Sequence, residues 1–499
     1  MAGFSLRWQN PHIFPTISKS MVNLTNKIIS WSFYLLFFLV PLWFFSGSHE
    51  LFEYNKMMLT YGLTIVIAAA WLVKLVVSHQ SSAISIKRTP LDIPIALYLL
   101  SHIISTIFSL DPHTSIWGYY SRFHEGLLAT ISYIVLYYAA VSNLQRPHIL
   151  RILQISFVSA AIVAIYGTFE HFGHSPSCLF ITGNFDVDCW VQDVKNRVFA
   201  TLGQPNWMAA YLDVVLLSVF GFLFSGRSQS VFSLSDSGKP KTEKLNSDNR
   251  QQRTDNQGFI IYTCLSVLLF AALLFTKSRS GILGLFTGLA IFGFFQLKSL
   301  KNFWQVAAAF LITSAIFGLP FSQIEKFSLE NFLTNKPSTV NPGLGPQAEP
   351  RTASTQKGAY IDIGISESGD IRRIVWQGAI KVWQRYPIFG SGVETFAYAY
   401  YQDRPVEHNM VSEWDFLYNK AHNEFLNILA TTGTVGMLAY LSILGMFTLL
   451  FLKSKKEPLT IALFAAWSSI LITNFFGFSV VIIGLYFFLI PAFYEILSY

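Results

Sequence analysis

Long apolar runs recur along the whole chain, and they constrain its fold more than any other feature. A helix that crosses the hydrocarbon core of a bilayer needs about 20 predominantly apolar residues. About twelve segments reach or approach that length. Such a chain is predicted to be an all-α polytopic membrane protein with about twelve transmembrane helices. The predicted spans are residues 28–45, 57–77, 91–108, 126–141, 152–169, 206–224, 258–275, 281–296, 303–321, 435–452, 459–476 and 478–497.

Composition supports the same class of protein. Only 13% of the residues are charged and 52% are hydrophobic, whereas charged residues make up about 25% of a soluble protein. The net charge of +7 does not indicate a nucleic-acid partner, because excess Lys and Arg in a membrane protein concentrate in its cytoplasmic loops. The first apolar run lacks a small-residue cleavage site, so we expect it to be retained as a span.

Lys and Arg are distributed unevenly between the loops. They are frequent in every second loop and scarce in the short loops between. Basic loops stay in the cytoplasm, so this pattern predicts a multi-pass protein of the cytoplasmic (inner) membrane with both termini in the cytoplasm. The basic positions are Lys87, Arg88, Arg146, Arg151, several within 226–257, Lys298, Lys301, Lys453, Lys455 and Lys456.

Two long segments interrupt the series of apolar runs. Residues 225–257 are rich in Ser, Asn, Asp, Gln and Lys, a composition that predicts a disordered cytoplasmic loop. Residues 322–421 are predicted to form a large extracytoplasmic loop that acts as a lid or an acceptor-binding element. This loop divides the chain into transmembrane helices 1–9, within residues 1–321, and helices 10–12, within residues 422–499.

The large outer loop is predicted to have two parts. Four prolines within residues 330–355 favour irregular structure there. Residues 371–396 are predicted to carry short helical structure, because apolar side chains recur at helical spacing. The predicted apolar face consists of Trp376, Ala379, Ile380 and Trp383.

A polar cluster runs directly into the tenth predicted span. Asn419, Lys420, His422, Asn423 and Glu424 precede an apolar helical pattern that glycines interrupt. His422 is therefore expected at the mouth of a helix, where the membrane meets water. A neutral imidazole there can accept a proton near neutral pH, as a general base must. A surface histidine that caps a helix is the structural alternative.

Cations also occur where the membrane makes them costly. Arg279 lies in a very short outer turn, Thr276-Lys277-Ser278-Arg279-Ser280-Gly281, and a guanidinium so placed can donate two hydrogen bonds to a phosphate. The alternative is a turn whose cations extend towards lipid headgroups.

Arg372 and Arg373 precede the helix of the large loop and are candidates for a second phosphate contact. The N-terminus of a helix attracts anions and disfavours cations. Two arginines at such a position therefore favour an anionic ligand, although a solvated helix start would explain either residue alone.

The sixth span opens with polar residues. Gln204 and Asn206 flank Pro205 at the membrane edge, where they can cap the helix or contact a sugar. Asp213 lies about 10 Å deeper by helix rise. A carboxylate within a span is functional by default or is paired with a buried cation, so a role in positioning the donor or acceptor and a structural polar network both remain open.

Cysteines and nucleotide motifs give little further chemistry. Cys178 and Cys189 share one polar loop and can form a disulfide if that loop faces an oxidising compartment. Cys264 lies in an apolar run and is expected to pack in the core. No Cys/His spacing suggests zinc, and no phosphate-binding glycine motif suggests a nucleotide.

The three outward-facing features define one chemistry. Two cationic sites, Arg279 and Arg372–Arg373, can hold a diphosphate, and His422 can deprotonate an incoming hydroxyl. In a membrane the phosphate would belong to a lipid. We therefore predict group transfer in which a lipid diphosphate leaves, assisted by stabilisation of its charge.

The same motifs resemble the O-antigen ligase family of membrane glycosyltransferases. His422-Asn-Glu-x-Leu-x-x-x-Ala-x-x-Gly-x-x-Gly436 is similar to the signature of that family. Gly203-Gln-Pro-Asn206 resembles its Gly-x-Pro-Asn segment, and Ser278-Arg-Ser-Gly281 its Ser-Arg-Gly turn. Arg372-x-x-x-Trp376 with Pro387-Ile-Phe-Gly-x-Gly392 resembles a further segment. The resemblance covers residues 197–499.

This resemblance implies a donor, an acceptor and roles for residues. Members take a glycan from undecaprenyl diphosphate on the outer leaflet and transfer it to lipid A core, to another glycan or to a protein hydroxyl, with neither nucleotide nor metal. Arg279 and Arg372 would bind the diphosphate and His422 would activate the acceptor. Ser280 stands where the family has glycine, and the spacing to Trp376 favours Arg372 over Arg373.

Other functions remain open at this point. A polysaccharide polymerase of the same family would differ from a ligase only in its acceptor. A transporter of lipid-linked sugars is the alternative from another class, although such proteins tend to show inverted repeats, and none is evident here. A non-enzymatic scaffold for envelope assembly would not need His422 or Arg279.

Overall fold

The structure, a computed structural model, describes residues 13–48, 50–78, 86–225, 247–296, 301–319 and 368–498. Every regular element in these ranges is helical. The elements before the large predicted loop are α1 (Ile13–Leu39), α2 (Glu53–Ser78), α3 (Asp92–Ile107), α4 (Pro112–Trp117), α5 (Leu127–Asn143), α6 (Arg146–His171), α7 (Pro176–Thr182), α8 (Pro205–Phe224), α9 (Ser247–Phe275), α10 (Arg279–Gln296) and α11 (Lys301–Phe317). The later elements are α12 (Ser368–Arg385), α13 (Phe396–Asp403), a 3₁₀ turn (Val406–Met410), α14 (Glu424–Lys453), α15 (Pro458–Phe475) and α16 (Val481–Ser498).

The all-α fold class is confirmed, and the protein is a multi-pass membrane protein. Among the described residues, 8 helices are long and apolar enough to cross a bilayer: α2, α6, α8, α9, α10, α14, α15 and α16. The other four predicted spans fall on α1 and on three shorter helices, α3, α5 and α11. A total of twelve spans stays a prediction.

Helices α8, α15 and α16 form the centre of the bundle. Nearly every residue of α8 and α16 is buried, and α8 packs against both α15 and α10. The sequence explains this position, because α8 is apolar on all of its faces apart from a few residues such as Asn206 and Asp213. A helix that is hydrophobic all round belongs in the interior.

Helix α14 is broken one-third of the way along. Gly433 adopts φ 68° and ψ −168° inside it, a conformation that residues with a side chain rarely adopt. The break frees backbone groups for the loop before α13. Ser391 N–H donates to the Ala430 carbonyl at 3.0 Å, and Thr434 N–H donates to the Pro387 carbonyl at 2.9 Å. The first turns of α14 are thus held by the loop before α13.

The described part of the large loop forms a small cap. Helices α12 and α13 and the 3₁₀ turn pack on the start of α14 around their own apolar cluster. The predicted face of α12 was partly wrong, because Ile380 is exposed and Trp376 is only half-buried. The face that packs consists of Ile371, Val375, Ala379 and Val382. The predicted irregular segment 330–355 lies outside the described residues.

Two further predictions concern loops and cysteines. Residues 226–246 of the predicted disordered segment lie outside the described residues, and α9 begins at Ser247, ahead of the predicted span. Cys178 and Cys189 form a disulfide. Cys264 was expected in the core, but it is a free, exposed cysteine on the outer face of α9.

Candidate functional site

A cavity of about 350 Å³ lies where four segments meet that were all predicted to face outward. The segments are 197–210 around the start of α8, 371–372 in α12, 413–422 before α14, and 473–483 between α15 and α16. Aromatic rings of Trp207, Phe476 and Phe478 form part of its wall. Its polar lining residues are Arg197, Gln204, Asn206, Arg372, Glu413, Tyr418, His422, Thr473 and Asn474.

His422 is positioned by the cap of α14. Asn423 is the N-cap residue, and its side-chain oxygen accepts the Leu426 N–H at 3.0 Å. The chain turns sharply just before, with φ 52° at His422. The imidazole packs edge-on between Tyr418 and Phe478, at ring-centroid distances of 5.5 and 5.3 Å. The ring therefore has a fixed orientation at the cavity wall.

The environment of His422 keeps it neutral. Burial, together with the positive charges of Arg372 and Arg122, lowers its pKa from 6.5 to about 4. Each of these three causes disfavours the imidazolium form. At neutral pH the ring is uncharged, and it can accept a proton from a hydroxyl that enters the cavity.

Of the two adjacent arginines on α12, only Arg372 lines the cavity. Arg373 is exposed, because successive residues of a helix point about 100° apart. Burial lowers the pKa of Arg372, while the Tyr418 hydroxyl and the Glu413 carboxylate act in the opposite direction. The guanidinium remains charged at neutral pH because its ordinary pKa is so high.

Arg197 is a second cation of the cavity, and Arg279 stands near it. Arg197 lines the cavity, and its Nε–H donates to the Thr276 carbonyl at 3.4 Å. Burial and the charges of Arg372 and Arg279 all lower its pKa. Arg279 itself is exposed at the start of α10 and does not line the cavity. Three guanidinium groups thus create a positive field at one site.

Gln204 and Asn206, which were expected either to cap the helix or to contact a sugar, both line the cavity. The Ser278 hydroxyl donates to Asn206 Oδ1 at 2.8 Å. This hydrogen bond joins the start of α8 to the turn that carries Arg279. The Gln204 side chain makes no hydrogen bond that caps α8. Its amide therefore faces the cavity and has no role in capping the helix.

Asp213, Asn423 and Glu424 do not line this cavity. Asp213 is fully buried within α8, and neither carboxylate oxygen has a hydrogen-bond partner in the described part of the chain. Asn423 instead caps the start of α14. Glu424 lies beside a separate cavity of about 60 Å³ and accepts the Ser479 N–H at 3.2 Å. Asn474 lines both cavities.

Part of the chain resembles a known family. Residues 264–441 match the family model described as O-antigen ligase. This segment of the chain is therefore similar to the O-antigen ligase family. No curated protein matches the chain. The matched segment contains Arg279, Arg372 and His422, the three residues to which the sequence assigned the chemistry.

Several residues around the cavity were not predicted from the sequence. Arg122, between α4 and α5, stacks over the rings of Trp207 and Phe478 at 5.1 and 5.6 Å. Its Nη1 is buried without a hydrogen-bond partner among the described residues. The only signal in the sequence was a cation in an aromatic outer segment, Tyr119 to Phe123.

A buried ion cluster supports the segment that carries His422. The Lys420 ammonium is almost fully buried and pairs with the carboxylates of Glu125 and Glu394. These carboxylates raise the pKa of Lys420 despite its burial, whereas burial raises that of Glu394 to about 7. The pairing joins three segments of the chain, because Glu125 precedes α5, Glu394 precedes α13 and Lys420 precedes α14.

A second buried pair connects two walls of the cavity. Glu53 and Lys56, both in the first turn of α2, are fully buried and 3.6 Å apart. Glu53 accepts the Val481 N–H at 2.8 Å, and Lys56 donates to the Thr201 carbonyl at 2.8 Å. The predicted span began at residue 57, so both charges were counted as part of a loop. Charged residues at the start of an apolar run were the available signal.

Proposed function

We propose that the protein transfers a glycan from an undecaprenyl-diphosphate carrier to an acceptor hydroxyl on the outer face of the cytoplasmic membrane. The observation that supports this most directly is the shared cavity, in which the uncharged imidazole of His422 faces the same space as Arg372 and Arg197. A base and two phosphate-binding cations are the groups that such a reaction needs.

The reaction follows from these groups. The acceptor oxygen attacks the anomeric carbon of the donor, and its proton passes to His422. The bond between that carbon and the diphosphate oxygen breaks, and the electron pair remains on the diphosphate. Arg372 and Arg197 stabilise the growing negative charge by charge-assisted hydrogen bonds, and Arg279 adds to their field.

The other lining residues suit a sugar. Gln204, Asn206 and Asn474 provide amide groups that can both donate and accept hydrogen bonds. The rings of Trp207, Phe476 and Phe478 offer apolar faces of the kind on which sugar rings stack. We propose that these side chains hold the transferred glycan, while Asp213 belongs to the bundle interior.

The sidedness of the site is part of the proposal. The segments that carry Arg122, Arg197, Arg279 and Arg372 meet at one end of the bundle, and the disulfide lies in the loop that ends at Arg197. Disulfides persist in oxidising compartments. We propose that this end faces outward and that both termini are cytoplasmic. Single cysteines are introduced at Asp188 or Lys455 in a Cys264→Ser background, and intact cells are treated with an impermeant maleimide. The cysteine at position 188 should react, and the cysteine at position 455 should not.

The deciding experiment measures transfer by purified protein in proteoliposomes. A labelled glycan on undecaprenyl diphosphate is supplied with candidate acceptors and without nucleotide or metal. Variants His422→Ala and Arg372→Ala are compared with Arg373→Ala, the exposed neighbour. We expect loss of donor consumption in the first two variants and near wild-type rates in the third. Equal activity of all three variants would refute the mechanism.

The acceptor decides which member of the family this is. Transfer to lipid A core or to a protein hydroxyl identifies a ligase, whereas extension of a second lipid-linked glycan identifies a polymerase. Donor that crosses the bilayer without being consumed would instead identify a transporter, and the enzymatic proposal would then be wrong.

A further inference from the structure

An apolar stripe on α6 continues beyond the end of that helix. Exposed apolar side chains recur on α6 at spacings of three and four residues, which place them on one face. Because α6 is a membrane-spanning candidate, this face meets lipid. Phe172, one residue past the helix end, is 60% exposed and extends the stripe. The stripe consists of Val158, Ile162, Ile165, Phe169 and Phe172.

Helix α7 carries the same surface further. The chain turns back after α6, and α7 exposes Leu179, Phe180 and Ile181, with Phe180 84% exposed. Phe185 packs against Phe169 of the stripe, with ring centroids 6.0 Å apart. Phe185, which follows α7 by three residues, therefore extends the apolar surface of α6 towards the segment that carries α7.

The opposite side of α7 is fixed to the bundle. Ser177 and Cys178 are buried, and the Ser177 hydroxyl contacts the Tyr166 hydroxyl of α6. Cys178 is bonded to Cys189. A helix held in this way cannot rotate to hide Phe180, so the exposure of its apolar face is built into the fold.

The end of α6 is also joined to the wall of the cavity. Glu170 is fully buried, and its carboxylate accepts the N–H groups of Phe199 and Ala200 at 3.4 and 2.8 Å. These two residues lie between Arg197 and Gln204, both of which line the cavity. The depth at which α6 and α7 sit in the membrane therefore fixes the depth of the Arg197 wall.

We propose that α7 lies in the outer leaflet of the bilayer as an interfacial anchor, with Leu179, Phe180 and Ile181 among the lipid chains. Contiguous exposed apolar surface marks a membrane contact, and aromatic side chains favour the interface. The anchor holds Arg197 at the level of the lipid phosphates. The choice of leaflet and this last clause rest on the proposed function, whereas the insertion itself requires no activity.

Spin labelling tests the insertion directly. Full-length protein with Cys264→Ser and Phe180→Cys is labelled with a nitroxide and reconstituted into phosphatidylethanolamine–phosphatidylglycerol vesicles. Accessibility to oxygen, which partitions into lipid, is compared with accessibility to a water-soluble nickel chelate. The control is Asn184→Cys, an exposed polar position in the same loop. Accessibility to oxygen should exceed that to the chelate at residue 180 and fall below it at residue 184. Equal chelate accessibility at the two sites overturns the proposal.

A kinetic arm tests the link to the cavity. The double variant Phe180→Ser/Ile181→Ser should raise the KM for the lipid-linked donor several-fold and leave kcat unchanged, because the catalytic groups are intact. The matched control is Thr182→Ala, an exposed polar position on α7. An unchanged KM overturns the role in setting the depth of Arg197. If wild type transfers no glycan, the proposed function fails while the labelling result stands on its own.

Discussion

Glu53 and Lys56 form an ion pair that is fully buried in the first turn of α2, and each also bonds to a different wall of the cavity. Taking two charges out of water is costly, and the hydrogen bonds with the Val481 N–H and the Thr201 carbonyl offset part of that cost. The pair therefore connects the start of α16 with the segment that carries Arg197.

Removing one member of this pair should be strongly destabilising. Lys56→Met leaves the Glu53 carboxylate buried and unpaired, and we expect a loss of about 3–5 kcal/mol in unfolding free energy. Glu53→Gln/Lys56→Met removes both charges and keeps an acceptor for the Val481 N–H, so it should recover most of that loss. Thermal unfolding in detergent measures both. A double variant no more stable than Lys56→Met would contradict the assignment.

The low pKa of His422 determines the acid limb of the pH–rate profile, that is, the pH below which activity is lost. Burial, Arg372 and Arg122 lower that pKa to about 4, so the neutral base is present above that pH and is lost below it. We expect kcat/KM for the donor to be independent of pH from neutral pH down to about pH 5. Below pH 4 it should fall about tenfold for each pH unit. Arg122→Gln removes a positive charge, and the limb should move to higher pH, towards 6.5.

The bound donor should shift the same limb. A diphosphate neutralises the field of Arg372, so the imidazolium becomes easier to form in the complex. The limb of kcat, which reports the complex, is expected at higher pH than that of kcat/KM. Glu394 also titrates near neutrality, since burial raises its pKa to about 7. Glu394→Gln identifies any contribution from that group. Coincident limbs for kcat and kcat/KM would argue against a diphosphate beside Arg372.

The two adjacent arginines of α12 provide a matched test. Arg372→Ala should lower kcat/KM for the donor by about 100-fold, because a preorganised charge that stabilises the leaving group is lost. Arg373→Ala, an exposed position, should change it less than threefold, within the range of about ±0.5 kcal/mol expected for exposed substitutions. Steady-state kinetics of both variants decide the matter, and the reverse order would place Arg373 at the phosphate.

The break in α14 gives a test of the fold. A Cβ at Gly433 would lie 2.3 Å from the Ile388 carbonyl oxygen at a φ of 68°, so Gly433→Ala should destabilise the protein by more than about 1 kcal/mol. Gly445→Ala in the same helix meets nothing within 4 Å and should be neutral or slightly stabilising. Thermal unfolding and transfer activity are measured for both variants. Equal stability and activity of the two variants would show that the break at Gly433 does not require glycine.

The local parts of this architecture were predictable from the sequence. Apolar runs predict spans because hydropathy is a property of contiguous residues, and the eight long helices coincide with predicted spans. The interruption at Gly433 was also visible, since glycine breaks a helical pattern. His422 and Arg372 were found because their motifs stand at predictable edges of helices, and the cavity contains both.

The contacts that assemble the site were not predictable from one sequence. Glu53 meets Val481 across 428 residues, and Lys420 meets Glu125 across 295. Neither pairing leaves a periodic signal. The face of α12 was misjudged for a related reason. Large aromatics suggested the packed side, yet the helix buries the smaller Val375 and Val382 against the cap. Asp213 was a candidate for positioning the donor or acceptor because a membrane carboxylate is rare, but depth along α8 keeps it from the cavity.

The bond from Glu53 to Val481 also constrains how the protein is made. Residue 53 leaves the ribosome long before residue 481, so the nascent chain inserts α2 with the Glu53–Lys56 pair before the Val481 N–H that bonds to Glu53 exists. Two of the four segments that enclose the cavity, 413–422 and 473–483, likewise arrive late. Until residues 413–422 emerge the incomplete chain lacks His422, and until residues 473–483 emerge its cavity is not enclosed. The proposed transfer therefore requires the complete chain.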